Sequence, residues 1–246
     1  MPKERLDVLL VERSLVESRE KAQRLILAGQ VLAGGQPATK AGHRFDRGVK
    51  IEVKTGPRFV SRGGEKLEAA FETFPLRVDG AVCLDVGAST GGFTDCLLQH
   101  GARQVIAVDV GKGQLHWKVR QDPRVVVLDE LNARYLRKED VPATPAFACV
   151  DVSFISLTKV LPAVIDVLAP MADIVTLIKP QFEAGRDEVG KGGVVRDPAV
   201  RQTVVDRIRQ WGTAAVGLEW IGVRESPIRG PAGNVEFLAC WRKRGG

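Results

Sequence analysis

The stretch Leu84-Asp85-Val86-Gly87-Ala88-Ser89-Thr90-Gly91-Gly92-Phe93 leads an apolar run into a glycine-rich turn and then into the start of a helix. Glycines there let the backbone take positive φ and approach a ligand, while the first helical N–H groups stay unpaired and face it. An acid, Asp109, closes the next apolar run, at the spacing from which strand-end carboxylates hold ribose hydroxyls. The expected ligand therefore contains a ribose. In the dinucleotide fingerprint the second glycine makes room for a pyrophosphate, but here Ser89 holds that place and a carboxylate, Asp85, stands before the turn. Asp85 would repel a diphosphate and suits the cationic amino acid end of S-adenosyl-L-methionine. Gly87 accompanies it, and Gly91 and Gly92 allow close approach.

Further charged residues break apolar runs. Ala148-Cys149-Val150 ends in Asp151, Val175-Thr176-Leu177-Ile178 ends in Lys179, and Glu236 interrupts Val235-Glu236-Phe237-Leu238. A lysine stepping out of four apolar residues is costly unless it has a partner or a task. Two readings compete: a Lys179–Asp151 ion pair that only holds a sheet together, or a working group at the carboxyl end of its strand. Glu236 taken alone could simply face water.

The elements that must position these residues alternate. Strands are expected at 81–86, 104–109, 124–128, 146–151, 173–178, 215–223 and 235–241, and helices at 65–74, 91–100, 154–168 and 197–211, the last closing at Gly212. Such alternation predicts an α/β fold, a doubly wound, mostly parallel Rossmann-like sheet with ligands at the strands' carboxyl ends. The last two strands, joined without a helix, predict one antiparallel edge. Upstream, Leu6, Leu9 and Leu10, then Ala22, Leu25 and Ile26, mark two short helices, with Ser18 capping the second and Gly29 ending it. Val31-Leu32, a Gly34-Gly35 turn and the alternation Val49, Ile51, Val53 complete a small α+β unit. The boundaries expected are 1–56 for this unit, 57–63 for a linker and 64–246 for the second domain.

Composition narrows the partners. Residues 1–62 hold 13 Lys and Arg against 7 Asp and Glu, so the whole net charge of +6 lies there, as expected of a module that binds a polyanion such as nucleic acid. Arg19, Lys21 and Arg24 stand off the apolar face of the second helix, free to meet phosphates. No run approaches the ~20 apolar residues of a membrane helix, and the start has no signal-peptide core, so a cytoplasmic protein is expected. Cys83, Cys96, Cys149 and Cys240 show no C-x-x-C pair, and His43, His100 and His116 are dispersed, which predicts structural cysteines and no metal site.

The first unit, through Arg5-Leu6-Asp7, Ser18-Arg19-Glu20-Lys21-Ala22 and Leu27-Ala28-Gly29-Gln30-Val31, resembles the S4 RNA-binding domain. Lys66, Asp151, Lys179 and Glu236 form the ordered set Lys-Asp-Lys-Glu found in FtsJ-type 2′-O-ribose methyltransferases. Nearly end to end, the chain resembles the TlyA (haemolysin-A-like) rRNA methyltransferases. Ser61-Arg62-Gly63-Gly64-Glu65-Lys66-Leu67, Asp151-Val152-Ser153-Phe154-Ile155-Ser156-Leu157, Ile178-Lys179-Pro180-Gln181-Phe182-Glu183 and Gly233-Asn234-Val235-Glu236 carry the likeness. The resemblance implies transfer of a methyl group from S-adenosyl-L-methionine to a ribose 2′-hydroxyl of rRNA, at a cytidine. In that reading Lys179 accepts or polarises the hydroxyl proton, Asp151 and Glu236 position the lysines and the ribose, and Lys66 is the second cation. Asp85, Gly87, Ser89, Gly91, Gly92, Phe93 and Asp109 hold the cofactor, with Asp129 and Glu130 near the adenine. Arg5, Arg19, Lys21, Arg24, Lys40, Arg58, Arg62, Lys112 and Arg134 meet RNA. The glycine-rich segment Gly185 to Gly193 reads either as a mobile flap over the site or as an ordinary surface loop. The expected partners are rRNA or ribosomal subunits, with no membrane and no metal, for a protein that acts as a monomer. The competing expectations are a nicotinamide enzyme, which leaves Ser89 and the Lys-Asp-Lys-Glu set unexplained, a non-catalytic RNA-binding assembly factor, and a membrane-active haemolysin.

Overall fold

The computed structural model describes residues 3–54 and 56–245, and the chain divides into two compact units, Met1–Arg58 and Phe59–Gly246. The first contains β1 (Lys3–Arg5), α1 (Leu6–Glu12), α2 (Arg19–Leu27), β2 (Val31–Ala33), β3 (Gln36–Pro37), β4 (Arg44–Asp46) and β5 (Ile51–Val53). Leu6, Leu10, Ala22, Ile26, Val31 and Ala33 form its core, so the apolar faces of α1 and α2 pack as their spacing requires. Ser18 Oγ accepts from the Lys21 amide, and Gly29 follows the helix at φ 67°. The antiparallel pair of β1 with β4 has no apolar alternation in sequence, which is why it is not legible there.

The second unit contains α3 (Gly63–Thr73), β6 (Val82–Val86), α4 (Gly92–Gln99), β7 (Gln104–Val108), α5 (Trp117–Arg120), β8 (Val125–Leu128), β9 (Phe147–Val150), α6 (Leu157–Val167), β10 (Ala172–Ile178), α7 (Pro180–Glu183), α8 (Pro198–Ala214), β11 (Glu219–Glu225) and β12 (Phe237–Lys243). It starts inside the segment read as a linker: Phe59 is buried, the Val60 amide donates to Asp95, and Gly63 already opens α3. One sheet runs β11-β12-β10-β9-β6-β7-β8, parallel except for β12, which is antiparallel to both neighbours. The antiparallel strand is therefore one place in from the edge, and β11 is the edge. One face packs on Leu67, Ala70, Phe93 and Leu97 of α3 and α4, the other on Leu157, Leu161, Val204 and Ile208 of α6 and α8.

Two helix boundaries differ from expectation for local reasons. α6 begins at Leu157 rather than at 154 because Phe154 adopts φ 63°, outside helical space, and Ser156 then caps the helix by accepting from the Thr158 amide. α8 runs through Gly212 instead of closing on it. A Cβ there would lie 2.5 Å from the Trp241 ring, so this glycine makes room for an indole on β12.

Candidate active site

The order of the parallel strands reverses between β6 and β9, and ligands of such sheets sit in the crevice that opens there at the carboxyl ends. The turn after β6 takes positive φ at Gly87 (81°), Ser89 (48°) and Gly91 (91°). The Gly87 and Ala88 amides both donate to the Val108 carbonyl, folding the turn over the end of β7. Two glycines have steric reasons. A Cβ on Gly87 would lie 2.4 Å from the Asp151 carbonyl oxygen, so the β6 turn abuts the loop after β9. A Cβ on Gly92 would lie 2.7 Å from the Gly64 nitrogen, so the starts of α3 and α4 meet there.

A cleft of about 530 Å³ opens at this point, lined by Gly87, Ser89, Asp109, Asn132, Asp151, Ser153 and Phe154, with apolar walls from Val108, Val110, Leu131, Ile155 and Val160. Asp109 lies in it as expected, with both oxygens engaged: Oδ2 accepts from the Ser89 amide at 2.8 Å and Oδ1 from the Gly111 amide at 2.7 Å. The carboxylate thus ties the two turns together and faces the cleft with its remaining lone pairs. Asp129 and Glu130, expected beside it, do not line it. Asp129 accepts from the Gly113 amide and from Arg120, Glu130 turns outward to Lys112, and Leu131, Asn132 and Ala133 supply the wall instead. Nothing in the spacing separates residue 130 from residue 132; the backbone does, by taking φ 59° at Glu130.

Asp85 also departs from its expected place. Its carboxylate is fully buried, accepting from Thr94 Oγ1 at 2.6 Å, and burial raises it from the usual aspartate range to about 7. It braces the glycine turn against α4 from within rather than facing the cleft.

A second cavity, of about 350 Å³, shares Gly87, Ser89 and Asp151 with the first and is also lined by Arg62, Lys66, Gly92, Phe93 and Arg229. Two of the four charged residues, Lys66 and Asp151, line it, and each is paired with one of the other two. Lys66 Nζ lies 2.6 Å from Glu236 Oε2, and Lys179 Nζ lies 2.6 Å from Asp151 Oδ1 while donating to Ser153 Oγ at 2.9 Å. Register explains the meeting. β9 pairs in parallel with β10, so Asp151 and Lys179 emerge at the same edge, and antiparallel pairing of Ile178 with Phe237 brings the preceding residue, Glu236, to that edge too. Ser153 and Phe154 belong to the site although sequence assigned them no role. Phe154 is 90% exposed, with its ring 5.0 Å from that of Phe182. Glu183 fixes the scaffold by accepting from Ser156 Oγ and the Leu157 amide at the start of α6; burial raises its carboxyl above the ordinary range.

The basic residues of the first unit divide. Arg5 and Arg19 are not free: both bind Asp7, which is fully buried and also accepts from Gln23. The Arg5 hydrogen bonds, above all, hold Asp7 well below the usual carboxylate range. Lys21 pairs with Glu17 at the surface, and Arg24, Lys40 and Arg58 are exposed. In the second unit Arg62, Lys112 and Arg134 are exposed, and Arg134 lies over the Tyr135 ring. The segment 185–193 is the one read as a flap or a surface loop. None of its described residues lines either cavity, and Asn234 holds its end through the Gly193 carbonyl.

All four cysteines are free and buried, and burial pushes the Cys83 and Cys240 thiols up to about 12. The expectation of dispersed ligand-type residues needs one correction: α3 and α4 bring Glu68, Cys96 and His100 together, with His100 Nε2 2.7 Å from Glu68. No helix among the described residues is long and apolar enough to cross a membrane.

Comparison with known proteins identifies the family. Residues 59–243 match the FtsJ-like methyltransferase family and residues 4–51 the S4 domain. The 16S/23S rRNA (cytidine-2′-O)-methyltransferase TlyA of Mycobacterium tuberculosis is 46% identical over 240 residues, 97% of this chain and 89% of that protein. Hemolysin A of Brachyspira hyodysenteriae is 45% identical over 236 residues, 96% of this chain and 98% of that protein. A solved structure from Streptococcus thermophilus, provisionally described as a hemolysin, superimposes with a TM-score of 0.75 at 45% identity and covers 99% of this chain and 90% of its own. The chain belongs to the FtsJ-like methyltransferase family, with an S4 domain at its N-terminal end.

Proposed function

We propose that the protein methylates the 2′-hydroxyl of a cytidine ribose in rRNA, with S-adenosyl-L-methionine as methyl donor, in the cytoplasm. The observation that carries this reading is the meeting of the Lys66–Glu236 and Lys179–Asp151 pairs at a cavity whose walls are shared with the cofactor-sized cleft. The residues present fit the cofactor: a glycine turn leaves the backbone bare beside Asp151, a strand-end carboxylate suits a ribose, and apolar walls suit an adenine. Gly87, Ser89 and Asp109 would hold it, with Leu131, Asn132 and Ala133 beside the base. When bound, S-adenosyl-L-methionine supplies a methyl group already activated by its sulfonium.

What remains for the protein is to aim a weak nucleophile and take its proton. Lys179 Nζ, held by Asp151 and Ser153, would hydrogen-bond the 2′-oxygen, passing one of its own protons to the Asp151 carboxylate as it takes the hydroxyl's. Proton transfer of this kind contributes roughly 10²- to 10⁴-fold, and alignment often more. The Lys66–Glu236 pair fixes the sugar from the other side. The S4 unit supplies RNA affinity through exposed cations such as Arg24 and Lys40.

The test is transfer of labelled methyl to purified 16S and 23S rRNA, followed by mapping of the modified nucleotide. Lys179→Ala should abolish transfer and leave binding of cofactor and RNA intact. Transfer to a base, or undiminished transfer by this variant, would refute the assignment. A non-catalytic assembly factor would bind rRNA and transfer nothing.

A further inference from the structure

The second cavity carries a feature that the methyl-transfer chemistry does not use. Arg62 and Arg229 both line it, both are exposed, and neither guanidinium has an ion-pair or hydrogen-bond partner among the described residues. They come from separate elements. Arg62 stands at the N-terminal boundary of α3 and lies one turn before Lys66, so the two share a helix face. Arg229 sits on the loop between β11 and β12, whose backbone is folded back on itself: the Ser226 amide donates to the Glu236 carbonyl, the Ile228 amide to Ser226 Oγ, and the Gly230 amide to the Asn234 carbonyl. A Cβ on Gly230 would lie 2.6 Å from Glu236 Oε1, so this loop packs directly on the carboxylate that holds Lys66.

Two unpaired guanidiniums on the wall of one cavity, each anchored to the Lys66–Glu236 pair, define a site for a compact anion. Arginine binds phosphate oxygens through paired N–H groups, and the N-terminal end of α3 adds to the positive potential. We infer that Arg62 and Arg229 clamp the phosphodiester attached to the ribose that is methylated. This rests on the function proposed above. The 3′ phosphate hangs from the sugar carbon next to the one bearing the 2′-hydroxyl, so a grip on it fixes that hydroxyl's distance and angle to Lys179. The carboxylate end of the cofactor is the other anion that two guanidiniums could take, and the two sources separate by experiment.

The assay uses the full-length protein and purified 16S and 23S rRNA, reading RNA affinity against salt, cofactor affinity by calorimetry, and methyl transfer. Arg229→Ala and Arg62→Ala should each weaken RNA binding about 10-fold at moderate salt and lower the salt slope by about 0.7, the value for one contact to single-stranded phosphate. Their effects should be non-additive when combined, and cofactor affinity should not change. Both positions are exposed, and an unaltered melting temperature verifies folding. Wild-type RNA affinity and salt slope in Arg229→Ala would overturn the clamp while leaving methyl transfer standing. A 10-fold loss of cofactor affinity with RNA binding unchanged would also overturn it, assigning the arginines to the cofactor carboxylate. A wild-type protein that binds rRNA but transfers no methyl group refutes the proposed activity, and the salt slope still decides whether these arginines hold a phosphate.

Discussion

Gly87→Ala tests whether the cofactor turn and the reacting groups are one mechanical unit. The substitution has two separable costs. At φ 81° a side chain is strained by roughly 1–2 kcal/mol, and the new Cβ would sit 2.4 Å from the Asp151 carbonyl oxygen and 3.0 Å from its carbon. Relief of that contact requires a displacement of about 1 Å. The Asp151 peptide cannot yield alone, because its amide donates to the Val86 carbonyl at 2.9 Å and its carboxylate holds Lys179. Misplacing a reacting group by about 1 Å costs on the order of 10²-fold. The expected result is a fall of about that size in single-turnover methyl transfer at saturating cofactor and rRNA, at a temperature where the variant is fully folded, with a stability loss of about 2–5 kcal/mol in urea. Gly80→Ala is the control. Its φ is 68° and a Cβ there would meet nothing within 4 Å, so it should lose only the ~1–2 kcal/mol of strain and keep wild-type transfer. Full transfer by Gly87→Ala, or an equal loss in both variants, would refute the coupling of turn to tetrad.

Other substitutions probe the buried charges. Asp85 is held near 7 by burial, so the folded state binds a proton that the unfolded chain has released, and stability should decline as pH rises from about 4 to about 7. Asp85→Asn should flatten that decline and, above pH 7, unfold at higher urea than the parent; a steeper decline would exclude Asp85 as its source. Lys66→Met leaves Glu236, 2% exposed, without its cation and should cost ~3–5 kcal/mol in thermal or urea unfolding, most of it restored by adding Glu236→Leu. Arg19→Glu sets a second carboxylate against buried Asp7 and should destabilise the first unit, visible as an earlier unfolding step, whereas Arg24→Glu should leave stability unchanged and weaken RNA binding. Phe154→Ala should raise the KM for RNA several-fold, because the exposed ring at the cleft offers a base a stacking surface. An unchanged KM would remove that role.

Some of this was legible in the residues alone, and the rest was not. The alternation of apolar runs was enough for the doubly wound sheet, because burial on two faces leaves a one-dimensional trace; the glycine turn, Asp109, and Asp151 and Lys179 at strand ends followed from where apolar runs stop. Pairing was different. The Lys179–Asp151 pair was one of two readings of those strand ends, but that Glu236 joins them and meets Lys66 depends on β12 entering the sheet antiparallel beside β10, and a linear pattern cannot report a strand's neighbour or direction. Side-chain direction was equally hidden: Asp85 turns inward to Thr94, Arg5 and Arg19 turn to Asp7, and Glu130 turns away from the cleft through a backbone twist. Residue type set what chemistry was possible, since charge and conformational freedom are properties of single residues. The choice among those possibilities fell to tertiary structure, because distance between groups far apart in the chain is fixed only when the sheet closes around them.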